Sequence, residues 1–117
     1  MNTRWSDVDQ MGHVNNAVFL SYYESARIDL FKKISYKKVP FIMVSARVDY
    51  IKQIHHPKSL IISSRIEKIG KTSFDIKSAI FLEKDKYCSS VADVTCVCYD
   101  YENQTKIPVP ESIKKLI

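Results

Sequence analysis

Apolar positions along the chain follow two rhythms. From Asn15 or Asn16 to about Lys33 they recur at helical spacing. Phe19, Tyr23, Ala26 and Leu30 form one stripe of a helix. Val18, Tyr22 and Phe31 widen that stripe, while Glu24, Arg27 and Lys32 can lie off it. After Pro40 the rhythm changes to runs rich in β-branched and aromatic residues, which predict strands over 41–54, 60–70, 71–84 and 87–102. The third run alternates, sending Phe74, Ile76, Ser78, Ile80 and Leu82 to one face. "HHPKS" (55–59) separates the first two runs. Residues 103–111 close the sheet, and 111–117 predict a terminal helical turn. At the other end, 2–6 reads as a short edge strand and 7–14 as a loop, with Gly12 permitting a backbone turn that other residues avoid.

Four strands in succession with short turns predict an antiparallel meander. Its apolar face needs a cover, and the long helix is the one candidate, which also predicts that this helix is well buried. The expected architecture is α+β, with residues 1–117 forming one domain.

Composition changes this picture little. No apolar run approaches the roughly 18 residues of a membrane span. "MNTRWSD" has no apolar signal region, so a cytoplasmic location is expected. Cys88, Cys96 and Cys98 lack zinc-site spacing and read as small hydrophobes in a reducing compartment; no metal is expected. The net charge of +5 suits a polyanionic partner: nucleic acid, an acidic carrier protein or a phosphorylated cofactor. The lysines are dispersed and no zinc-finger or aromatic RNA-binding motif accompanies them, so nucleic acid is not the expected partner.

Chemistry concentrates in "SDVDQMGHVNN" (6–16), which sets two aspartates, a glycine, a histidine and two asparagines against the start of the helix. A carboxylate beside free helix-start N–H groups is an arrangement able to carry chemistry. The amides hold a developing oxyanion, and the carboxylate attacks or activates water.

The longer stretch "TRWSDVDQMGHVNNAVFLSYYESAR" (3–27) resembles the opening signature of the 4-hydroxybenzoyl-CoA thioesterase-like branch of the hotdog-fold thioesterases. "SARVDYIKQI" (45–54), "IEKIGKTSFDI" (66–76) and "CVCYDYENQTKIPVPESIKKL" (96–116) resemble later pieces of the same pattern. The plant acyl-carrier-protein thioesterases share the H-V-N-N element. Two departures stand out: "HHPKSL" (55–60) where the family commonly has a Pro-rich turn ending in Gly-Asp, and only six residues before Asp7.

The resemblance implies a hotdog fold, one long helix wrapped by an antiparallel sheet. It implies hydrolysis of an acyl-CoA thioester, with acyl-carrier-protein thioesters or a non-catalytic acyl-thioester-binding module as alternatives. Coenzyme A enters as part of the substrate and no separate cofactor is implied. A homodimer or homotetramer is implied, with part of the site drawn from a second chain. Asp9 matches the family's catalytic aspartate, acting as nucleophile or general base. Asn16 matches the residue whose backbone N–H polarises the carbonyl. His13 is a candidate acid–base group or a residue that fixes the loop. Asp7 is read as a loop anchor, with a direct role as the alternative. Lys71 and Ser73, in the "KTSF" turn, are the candidates for coenzyme A binding. Glu24 is read as solvated or structurally paired, as with Arg27, with reach into a partner chain's site as the alternative, and His55 and His56 as exposed turn residues. The hydratase signature of related folds, Asp-x-x-x-x-His, is not matched by Asp7 or Asp9 with His13.

Overall fold

The computed structural model describes residues 1–32 and 41–116. A 3-10 turn, Trp5–Asp7, leads through a loop into helix α1, Asn16–Phe31. Strands β1 (Phe41–Tyr50), β2 (Leu60–Glu67), β3 (Ser73–Leu82), β4 (Cys88–Asp100) and β5 (Thr105–Lys106) follow, then a short helix α2, Glu111–Lys114. This is the expected α+β hotdog arrangement. The predicted helix end near Lys33 and the last residue of the terminal turn lie outside the described residues.

Helix α1 starts where an Asn cap predicts. Asn15 Oδ1 accepts the Ala17 N–H at 2.9 Å, satisfying one of the free first-turn donors. Phe19, Tyr22, Tyr23 and Phe31 are buried beneath it. The alternating face of β3 is also as expected: Phe74, Ile76 and Ile80 are fully buried. The core has two lobes. Phe31, Phe74, Ile76, Cys96 and Cys98 pack with Val109 and Ile113 of the C-terminal segment. Val14, Phe19, Tyr22, Tyr23, Ile54, Leu60 and Ile80 pack under the helix start. The C-terminal segment therefore shares with α1 the task of covering the sheet. Burial pushes the Cys96 thiol up to about 11, as suits a packed rather than a reactive cysteine.

Three expectations are corrected. Residues 2–6 are not an edge strand: Asn2 makes one bridge to Ser59, and Trp5–Asp7 coil because Asp7 draws the chain back onto Arg4. The sheet is not a simple meander, since its order is β1-β4-β3-β2. Strands β2, β3 and β4 follow in succession, and β5 pairs with the end of β4. The reason lies after β1, where the Ile51 and Lys52 N–H groups both donate to the Ser89 carbonyl on β4. Ile54 then turns into the core and accepts from the Val14 N–H. That path carries the chain away from β1, so β2 joins the far edge. Finally, α1 is only partly covered: Leu20 and Ile28 are 43% and 51% exposed.

Among the described residues, strand β1 is an edge along its length. Ile42, Met43, Val44 and Tyr50 are 37–53% exposed. It has the composition of an interior strand without the cover.

Candidate active site

The loop 7–15 is a small closed hairpin built by its own polar groups. Val8 bridges Val14. The Asp9 N–H donates to the His13 carbonyl at 3.0 Å, and the Gly12 N–H to the Asp9 carbonyl at 3.2 Å. Gly12 takes φ +85°, the left-handed conformation a side chain disfavours, and this closes the turn. Asp9 Oδ1 accepts the Met11 N–H at 2.8 Å.

Asp7 anchors the loop at its base and is 2% exposed. Oδ2 accepts the Tyr22 hydroxyl at 2.7 Å and the Arg4 N–H at 2.9 Å. Oδ1 pairs with the Arg4 guanidinium at 2.9 Å. Burial alone would raise the Asp7 pKa, but the hydrogen bonds from Tyr22 and Arg4 outweigh it and hold the carboxyl below its ordinary value. Burial and the same hydrogen bond push the Tyr22 hydroxyl strongly upward, so it donates at all physiological pH.

Asp9 differs. Its side chain is 26% exposed, and Oδ2 stands 3.6 Å from His13 Nδ1. The Val14 carbonyl lies 3.5 Å from the same nitrogen. Both neighbours of Nδ1 are acceptors, so the proton of a neutral His13 belongs there and Nε2 keeps the free lone pair.

Beside this pair is a cleft of about 250 Å³, lined by His13, Asn16, Phe19, Tyr50, Lys52 and Gln53. His13 and Asn16 line it, whereas Asp9 reaches it only as the neighbour of His13. Asn16 is the first residue of α1, and its N–H has no intrahelical acceptor. The Tyr50 hydroxyl donates to the Asn16 carbonyl at 2.9 Å, and the Tyr50 ring packs edge-on against Phe19 at 5.0 Å. Sequence reasoning missed both Tyr22 and Tyr50. Their partners lie 15 and 34 residues away, and no local pattern marks them.

Lys71 and Ser73 are not brought to this cleft. Ser73 is level with Val97, and Val97 with Ile42, at the start of β1. Tyr50 lies at the other end of that strand, roughly 26 Å away at ~3.3 Å per residue. Glu24 is exposed, as read from the sequence. His56 is half-buried and stands 2.8 Å from Thr3 Oγ1, while His55 is exposed yet reaches the loop. Among the described residues no cluster of three or more His, Cys, Asp or Glu is placed to hold a metal ion. Among them, too, no helix is long and apolar enough to cross a membrane.

A capped helix N-terminus, a carboxylate–histidine pair and a cleft at the edge of a hotdog sheet define the class of hotdog-fold thioester hydrolases. The chain belongs to the thioesterase-like superfamily, whose family model matches residues 3–117. It is 24% identical to the long-chain acyl-CoA thioesterase FadM of Escherichia coli, over 98% of this chain and 92% of that protein. It is 29% identical to the uncharacterized protein YsmA of Bacillus subtilis over 65% of this chain, a match that spans about half (54%) of YsmA. Among solved structures, a Thermus thermophilus thioesterase complexed with coenzyme A and zinc superposes with a TM-score of 0.89. It is 28% identical, with 99% of this chain and 92% of that one covered.

Proposed function

We propose that the protein hydrolyses an acyl-CoA thioester to the free acid and coenzyme A. The observation that carries this reading is the Asp9–His13 pair next to a cleft whose wall includes the first residue of a helix. The thioester carbonyl oxygen sits at the helix start, where the Asn16 N–H and the positive end of α1 stabilise the oxyanion. Asp9 attacks the carbonyl carbon or takes a proton from the attacking water. Collapse of the intermediate expels the coenzyme A thiolate; where Asp9 attacks directly, water then hydrolyses the Asp9–acyl anhydride to release the acid and restore the carboxylate. A second reading is favoured by the position of His13 on the cleft wall. In it, Asp9 orients the neutral His13 ring, and Nε2 takes the proton from the attacking water. FadM acts on long-chain acyl-CoA and the Thermus relative holds coenzyme A, which supports the CoA form over an acyl-carrier-protein substrate or a merely binding module. No cofactor besides the coenzyme A of the substrate enters the mechanism.

The active form in this proposal is a homodimer, or a pair of dimers, built on β1. Antiparallel pairing of two β1 strands covers the exposed apolar row and continues the sheet. It also runs the Lys71 end of one chain alongside the cleft of the other. Lys71 and Ser73 then serve the coenzyme A phosphates of the neighbouring site. The single-domain organisation and a cytoplasmic setting, which three free cysteines suit, belong to the same proposal.

Thiol release from a panel of acyl-CoAs and acyl-carrier-protein thioesters, run beside light scattering, tests the reading. Turnover of acyl-CoA by a species of two or four chains is expected. Full activity in a monodisperse 13.6 kDa monomer contradicts the shared cleft, and binding without turnover of any thioester contradicts the enzyme.

A further inference from the structure

His55 departs from the family pattern and takes no part in the mechanism above. Ile54, 1% exposed, fixes the start of its turn in the core. From there the chain holds the site loop at two successive points. The Val14 N–H donates to the Ile54 carbonyl at 2.7 Å. One residue on, His55 Nδ1 lies 3.4 Å from the Gly12 carbonyl oxygen. A carbonyl only accepts, so this contact needs a proton on Nδ1. The His55 ring also meets the His13 ring edge-on, at 6.3 Å and 82°.

Gly12 needs such a hold. It is exposed, and no atom lies within 4 Å of where a Cβ would stand, so packing does not restrain it. Its carbonyl belongs to the peptide that leads into His13. A rotation of that peptide moves His13 relative to Asp9, 3.6 Å away. His56, the next residue, does something else: it contacts Thr3 and ties down the N-terminal segment.

We propose that His55 is a positioning residue: its Nδ1–H fixes the Gly12–His13 peptide and its ring limits the swing of His13, keeping the Asp9–His13 pair aligned. The inference rests on reading this loop as the thioesterase site. It assigns a role to a histidine outside the signature and makes the 53–56 turn part of the catalytic apparatus.

The test compares purified full-length His55→Ala, His55→Asn, His56→Ala and Asp9→Asn in thiol release from an acyl-CoA. The Asn side-chain amide nitrogen falls near the position of Nδ1 and restores the donor. His55→Ala should lower kcat on the order of tenfold with KM nearly unchanged, as misalignment of reacting groups does. His55→Asn should recover most of that loss. His56→Ala should lower thermal stability and leave kcat near wild type. Wild-type kcat in His55→Ala overturns the inference, as does an equal kcat loss in His55→Asn, or a change confined to KM. The Asp9→Asn arm separates the two failures. If Asp9→Asn is inactive while His55→Ala is fully active, the inference alone falls. If Asp9→Asn turns over normally, the reading of the site falls with it.

Discussion

Asp7 and Asp9 stand two positions apart on one loop. Asp7 is sealed, 2% exposed, and saturated by Arg4 and Tyr22. Asp9 is open, 26% exposed, with one oxygen held by a backbone amide and the other facing a histidine. Desolvation alone would favour a neutral Asp7, and its donors reverse that. A carboxylate with all its lone pairs engaged is a good anchor and a poor nucleophile. The difference is one of environment: one carboxylate fixes the loop, and the other keeps an exposed oxygen.

This contrast can be broken from the Asp7 side. Asp7→Ala removes a charged hydrogen-bond acceptor and strands the Tyr22 hydroxyl in the core. It should cost about 2–3 kcal/mol, read as a lower midpoint in urea unfolding. A loss under half a kilocalorie would deny the anchor role. Tyr22→Phe removes one of the donors and should cost less, about 1.5 kcal/mol by the same measurement.

Acid sharpens the comparison. The folded pKa of Asp7 lies below its ordinary value of 3.8. Its ionised form therefore contributes stability above that pH. The contribution fades as pH falls below it, through the folded value. The stability–pH slope below pH 3.8 should be shallower in Tyr22→Phe than in wild type. Parallel slopes would show that Tyr22 does not hold the ionised carboxylate. The smallest effect expected is at the far end of the sheet. Lys71→Ala should raise KM for acyl-CoA a few-fold and leave a short thioester lacking the nucleotide unaffected, as loss of one exposed phosphate contact does. Equal effects on both substrates would remove Lys71 from the coenzyme A site.

Local features of this molecule were legible in the sequence. The stripe of Phe19, Tyr22 and Tyr23, the alternation of Phe74, Ile76 and Ile80 and the Asn15 cap each depend on near neighbours. The signature placed Asp9, His13 and Asn16 together for the same reason. Strand order was not legible, because the chain leaves β1 where the Ile51 and Lys52 N–H groups both donate to the Ser89 carbonyl on β4, a contact that no periodicity encodes. The clamp of Asp7 by Tyr22, the Tyr50 contact to Asn16 and the reach of His55 to Gly12 span 15, 34 and 43 residues. Such contacts arise only once the helix and the β1–β2 connection have packed. The exposed row on β1 carried an ambiguous signal, since an interior strand and an edge awaiting a partner have the same composition.

The most direct test of the account is the turnover number for acyl-CoA of Asp9→Asn, measured beside Asp7→Asn well below the melting point of both. Exchange of the working carboxylate for an amide should lower kcat by about a hundredfold or more while leaving the melting temperature near that of wild type. Asp7→Asn should keep substantial turnover and melt earlier. A folded Asp9→Asn protein that releases coenzyme A at the wild-type rate, or a stable Asp7→Asn protein that has lost turnover, would contradict the assignment of the open carboxylate as the working one.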